Sequence, residues 1–243
     1  MNVYRKEYRL HNADTDFYRR LRWDTMFTMF QEASIAHTEA LGAGREKTLD
    51  RGFLWVIALQ QVTIRRLPEY DERITVESWP GRTMHVFFPR YYRMRDESGE
   101  ILVEGSALWG LMDRQSRKLI FPEEEGIEVP ETVTGDEPPL PRTFKNVPAQ
   151  RRVPFTVPFS YLDLNGHMNN TRYFDLVQDL LPPEQMEKAP TRIAVEYSGE
   201  AKWGEQLSVG VAKTESGWFF LGESDHRVFR MQVEYGETQT SKK

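Results

Sequence analysis

Residues 122–148 read PEEEGIEVPETVTGDEPPLPRTFKNVP, a run in which acidic residues and prolines replace any apolar period. Such a run reads as a linker, because it offers neither a helical nor a strand face to bury. It divides the 243-residue chain into halves of about 120 and 95 residues. Working outward from it, each half shows one order of elements: a strand, an amphipathic helix, then a run of long strands.

In the first half the pattern predicts a strand over 4–11 and a helix over 23–41, whose Met26, Phe27, Phe30, Ala33 and His37 share one face. Strands follow near 54–66, 73–79, 86–95 and 101–112. In the second half a strand over 153–160 precedes a short helix over 170–181, on which Tyr173, Phe174, Val177 and Leu180 repeat at helical spacing. Strands follow near 192–198, 206–213, 218–222 and 228–235. Placing Asp16 on Asp163, an offset of 147, aligns the two halves without a gap across the first strand and helix and pairs Phe27 with Phe174 and Gln31 with Gln178. A second block sets Ile57-Ala58-Leu59 against Ile193-Ala194-Val195 at an offset of 136, which places Ile64 where Glu200 stands. The chain reads as a duplicated α+β unit, each helix lying against a curved antiparallel sheet. The expected boundaries are 1–121, a linker over 122–148, and 149–243.

Composition narrows the function. Hydrophobic residues make up 39% and charged residues 28% of the chain, a globular balance. The formal net charge of −5 argues against a nucleic-acid partner, which calls for surplus Lys and Arg. Cysteine is absent, so no thiolate metal site or cysteine nucleophile exists. The start, MNVYRKEYRL, lacks the apolar run of a secretory signal, and no stretch approaches the ~20 residues that span a bilayer. The expectation is a cytoplasmic protein with no membrane partner. His11, His37, His85 and His226 show no metal-ligand spacing, so neither a metal nor a cofactor is expected.

The densest cluster of small polar residues is Tyr161-Leu162-Asp163-Leu164-Asn165-Gly166-His167-Met168-Asn169-Asn170, just before the second helix. Gly166 permits the positive φ of a sharp turn, and Asn170 or its neighbour can cap the helix. A carboxylate, an amide and an imidazole thereby meet beside a helix N-terminus, which favours negative charge. Asp-x-Asn-Gly is also ordinary turn chemistry. The first half tests that alternative: it keeps Asp16 but has Tyr18 and Arg20 at the positions of Asn165 and His167. Polar residues needed only for the turn would be expected in both copies. Hydrolysis of an acyl compound needs an activated water or nucleophile, oxyanion donors and a leaving group. Thiols, with a pKa of ~8.5, leave without a strong general acid, which suits a site this sparse. No G-x-S-x-G serine elbow occurs.

Asp163-Leu164-Asn165-Gly166-His167-Met168-Asn169-Asn170 resembles the D-x-N-x-H-x-N-N motif of the plant and bacterial acyl-acyl carrier protein thioesterases. Val195-Glu196-Tyr197-Ser198-Gly199-Glu200 is similar to that family's L-E-Y-x-x-E. The resemblance covers nearly the whole chain. It implies a tandem (double) hotdog, two curved antiparallel sheets each wrapping a long helix, and Asp163, Asn165, His167 and Glu200 as the catalytic set. It further implies that the first half shapes the acyl-chain pocket and that the partner is an acyl carrier protein bearing a fatty acyl chain. Two departures stand out: Ala201 replaces a cysteine common in the family, and Tyr161 an aspartate. Strand alternation puts Ile193, Val195 and Tyr197 on one face, so Glu200 reaches the site only through a kink at Gly199 or from the other face. The function implied is release of free fatty acid from acyl carrier protein in fatty acid biosynthesis. The rival readings are an acyl-CoA thioesterase, a noncatalytic acyl-binding module and a dehydratase on the same fold. An acidic carrier would call for a local basic patch, for which Arg142, Lys145, Arg151, Arg152, Arg172 and Lys202 are candidates. A homodimer is among the assemblies the sequence allows.

Overall fold

The computed structural model describes residues 2–236. In chain order the first half contributes β1 (Tyr4–Arg9), α1 (Trp23–Ala40), β2 (Phe53–Ile64), β3 (Arg73–Pro80), β4 (Phe87–Asp96) and β5 (Ile101–Asp113). The second contributes β6 (Arg151–Thr156), α2 (Arg172–Asp179), a single turn α3 (Pro183–Met186), β7 (Arg192–Tyr197), β8 (Gln206–Lys213), β9 (Gly217–Glu223) and β10 (Arg227–Glu234). Every helix and strand expected from periodicity is present within a few residues, and α3 is additional. The end of the expected second unit, 237–243, lies outside the described residues.

The strands form one ten-stranded antiparallel sheet in the order β1-β3-β4-β5-β2-β7-β10-β9-β8-β6. Read outward from the centre, both halves repeat the same sequence of strands. They meet where β2 pairs with β7, Gln60 opposite Val195 and Val62 opposite Ile193. The two expected sheets are therefore one, because edge-to-edge pairing satisfies two rows of backbone groups that separate sheets would leave open. Only α1 is long, at 18 residues; α2 has 8 and ends before Pro182 and Pro183, which cannot continue a helix.

Met26, Phe27, Phe30, Ala33 and His37 of α1 are all buried, as the spacing predicts. Phe27 stacks face to face on Phe174 of α2, with ring centroids 3.7 Å apart and planes 3° from parallel. These are the two residues paired by the 147 offset, so equivalent side chains of the two copies meet each other. One apolar cluster runs through both halves, from Leu10 and Phe27 to Phe229 and Val233.

The 136 offset does not survive. A bulge between Ile57 and Leu59 shifts the face of β2, so Leu59 lies opposite Glu196 and outside the apolar cluster that contains Val195. The backbone gives a different equivalence after β2. Leu21 N–H donates to Pro68 O and Met168 N–H to Ala201 O, while bridges join Arg20 to Glu69 and His167 to Lys202. The offset here is 133, and the counterpart of Glu200 is Leu67, which is buried, rather than Ile64.

The 122–148 segment is a strap rather than a free spacer. Arg93 binds the carboxylate of Asp136 at 2.9 Å, Ser106 donates to Pro139 O, and Arg230 donates to Phe144 O and Asn146 Oδ1. Arg93 alternates with Tyr92 and Met94 of the apolar cluster, so the strap covers the sheet face opposite the helices.

Candidate active site

Asp163 builds the loop that carries the other polar residues. Its Oδ1 accepts the N–H groups of Asn165 at 2.8 Å and His167 at 3.4 Å, while Gly166 donates to Asp163 O and takes a φ of 79°. The first copy makes the same turn: Asp16 Oδ1 accepts Tyr18 N–H and Arg20 N–H, both at 2.9 Å, and Arg19 occupies the left-handed position with a φ of 66°. The turn is thus common property, and the carboxylate is its organiser. The copies differ in what fills it. Arg20 takes the second oxygen of Asp16 at 3.0 Å and reaches Met186 O and Glu187 O in the other half, a structural tie. No described side chain takes the second oxygen of Asp163.

His167 Nε2 lies 3.3 Å from Glu200 Oε2. Glu200 arrives there through a bulge just past β7, where Ser198 N–H and Gly199 N–H both donate to Val228 O. A Cβ on Gly199 would stand 2.5 Å from His226 Cδ2 and 2.8 Å from Arg227 O, so only glycine fits the bend. The kink at Gly199 is the route that strand alternation required. The same carboxylate is gripped by Arg117, from the turn after β5 in the first half. Sequence reasoning missed Arg117, since nothing local links it to a residue 83 positions away.

A cavity of about 410 Å³ opens beside the loop. Phe53, Leu54, Trp55, Phe88 and Trp109 of the first half line it, and the second half supplies Asp163, Leu164, Asn165, Asn169 and Asn170. The four expected residues therefore gather as two pairs. Asp163 and Asn165 line the cavity, whereas His167 and Glu200 touch each other beside it and do not line it; Glu200 faces a shallower hollow with Lys202, Glu205 and His226. In that hollow Glu205, Asp225 and His226 offer ligand atoms within 4.8 Å of one another, a grouping that sequence spacing did not show.

Asn169 rather than Asn170 holds the helix start: its Oδ1 accepts Thr171 N–H at 2.9 Å and the Thr171 hydroxyl at 3.0 Å. The N–H of Asn170 donates to no described group, and its carbonyl accepts Tyr197 Oη–H at 2.9 Å. Of the expected basic residues, Arg152 and Arg172 are engaged by Glu223 and Asp175. Leu164, Phe159 and Trp203 are exposed near the loop, the last two in edge contact at 5.8 Å. Among the described residues no helix is long and apolar enough to cross a membrane.

Two family models match the chain. Residues 1–128 match the acyl-ACP thioesterase N-terminal domain, and residues 144–240 match the acyl-ACP thioesterase C-terminal domain. The chain belongs to the acyl-ACP thioesterase family. Among its relatives in that family, a palmitoyl-acyl carrier protein thioesterase of Cuphea hookeriana is 24% identical over 240 residues, covering 92% of this chain and 58% of that protein. A dodecanoyl-[acyl-carrier-protein] hydrolase of Cinnamomum camphora is 25% identical over 214 residues, covering 82% and 56%. The chain thus spans somewhat over half the length of these curated relatives. The fold matches the 12:0-ACP thioesterase of Umbellularia californica with a TM-score of 0.81 at 22% identity, covering 96% of this chain and 97% of that one. An acyl-ACP thioesterase of Bacteroides thetaiotaomicron also gives 0.81 at 20% identity, covering 96% and 98%.

Proposed function

We propose that the protein hydrolyses fatty acyl-acyl carrier protein thioesters to free fatty acid and carrier thiol, on a double hotdog whose first unit holds the acyl chain. What carries the reading is the asymmetry between the copies. The turn is shared, but Asn165, His167 and Glu200 stand only in the copy whose loop opens on an apolar-walled cavity. Membership of the acyl-ACP thioesterase family and the names of the relatives support the substrate class.

In the mechanism that fits, the acyl chain enters between α1 and the sheet and leaves its carbonyl at the loop. Asn165 and the free oxygen of Asp163 orient a water molecule. Glu200, held by Arg117, keeps His167 beside the cavity, and a turn of its ring toward Asn165 lets it take the water's proton and return it to the departing sulfur. The free N–H of Asn170 faces the developing oxyanion. Exposed Leu164, Phe159 and Trp203, with Lys202 among them, supply a docking surface for an acidic carrier.

The test is thiol release from one acyl chain presented on acyl carrier protein and on coenzyme A. Wild type should turn over the carrier-bound chain faster, and Asn165→Ala, His167→Ala and Glu200→Ala should each lose on the order of 10²-fold or more while remaining folded. Full turnover by these variants would place the chemistry elsewhere; tight acyl binding with no thiol release would make the protein a noncatalytic module.

A further inference from the structure

Arg90 of β4 is a buried arginine that no described carboxylate pairs. It is 5% exposed and sits on the helix side of the sheet with Phe88 and Tyr92, lining the same cavity as Asn165. Neither of its hydrogen-bonding partners is a carboxylate: Nη2 donates to Thr38 Oγ1 at 2.6 Å, and Nη1 lies 3.1 Å from His37 Nδ1. The other buried arginines are compensated, Arg93 by Glu104 and Asp136 and Arg230 by Glu196. Burying an uncompensated cation is strongly unfavourable, and a methionine would fill the space without that cost. Burial also depresses the Arg90 pKa to about 10, which still leaves the group charged at neutral pH.

The wall around it is polar as well. Trp109 Nε1–H donates to Tyr92 Oη at 3.1 Å and Ser34 Oγ–H to the same oxygen at 3.3 Å, and both Trp109 and Ser34 line the cavity. Asn165 and Leu164 are exposed and mark the mouth at the loop, whereas Arg90, Ser34 and Thr38 are buried and mark the inner end; exposed Glu39 and Arg45 also line the cavity. A guanidinium has five N–H donors, of which two are engaged here.

We propose that the inner end of the cavity is a subsite for acyl chains whose far end bears an oxygen acceptor, a carboxylate above all, received by the free donors of Arg90. The inference rests on the thioesterase reading for the orientation of the chain, with the thioester at the mouth. A carboxylate completes the fork of Arg90 in two parallel hydrogen bonds and supplies the missing counter-charge, a hydroxyl supplies one bond, and a methyl end supplies none.

The test compares carrier-bound chains of matched length ending in methyl, hydroxyl and carboxylate, across a series of lengths. In parallel, calorimetry measures binding of the free monocarboxylic and dicarboxylic acids, which needs no turnover. Wild type should favour the carboxylate-ended chain over the methyl-ended one by about tenfold or more in kcat/KM at the best length, because a polar site rejects an analogue that leaves its donors unpaired. Arg90→Met should abolish that ratio and Arg90→Lys retain part of it. Should Arg90→Met fail to fold, Thr38→Val, which releases one of the partners that orient the guanidinium, should narrow the ratio. Equal or better use of methyl-ended chains, together with equal binding of the two acids, overturns the proposal. Preferential binding of the dicarboxylic acid without thioester cleavage would uphold the subsite and sink the thioesterase reading.

Discussion

Exchanging Phe27 and Phe174 for leucine, singly and together, tests whether the two halves share one core. Both rings are fully buried and stack at 3.7 Å, the only aromatic stack between α1 and α2 among the described residues. Each leucine keeps much of the apolar volume, so each single change should cost about 1–2 kcal/mol. The ring–ring term is worth about 0.5–1.5 kcal/mol beyond burial and vanishes with the first substitution. The double variant should therefore lose about 1 kcal/mol less than the sum of the singles. Alanine would be harsher, about 3–5 kcal/mol per site, a large part of the 5–15 kcal/mol that holds a typical domain. Urea unfolding followed by circular dichroism and by tryptophan fluorescence measures these values, and the m-value should stay constant. One apolar cluster and one continuous sheet predict a single coincident transition. Additivity within about 0.3 kcal/mol, or two separate transitions, would refute the claim that the copies are fused through these helices.

Arg117→Met should leave stability nearly intact, because both side chains of its ion pair with Glu200 are over a third exposed and such pairs contribute about 0–1 kcal/mol. Thiol release should nevertheless fall several-fold, and unchanged kcat/KM in a steady-state assay would remove Arg117 from the site. Gly199→Ala should destabilise by about 1–3 kcal/mol and also depress turnover, since the new Cβ meets His226 and the backbone of Arg227 where the chain bends to deliver Glu200. Thermal melts and activity with full retention of both would show that the bend is not required. The hydrogen bond that the His226 ring donates to the Asp225 carboxylate raises the pKa of His226 above its usual 6.5. A raised folded-state pKa means that this pairing stabilises most below about pH 6.5 and that its contribution is lost as pH rises through the folded value. NMR titration of His226 should give a lower midpoint in Asp225→Asn; an unchanged midpoint contradicts the pairing.

The sequence by itself determined the elements and the loop. The helical period of Met26, Phe27, Phe30 and Ala33, the strand runs on either side of 122–148, and the Asp-x-Asn-Gly turn are all written in neighbouring residues, where 3.6- and 2-residue periods and turn chemistry act. The offset of 147 followed too, because the first strand and helix of each copy are read without a bulge. What lies across the sheet was not legible. The equivalence of Glu200 with Leu67 rather than Ile64 is set by backbone pairing between distant segments, which no local residue pattern announces. The fusion of β2 with β7, the strap's anchorage on Arg93 and Arg230, the grip of Arg117 on Glu200, and the isolation of Arg90 from any described carboxylate arise from pairing and desolvation between segments far apart in the chain. Local propensity sets which segments can become strands and helices. Which strand edges meet, and which charges are thereby stripped of water, is decided only when the whole core closes.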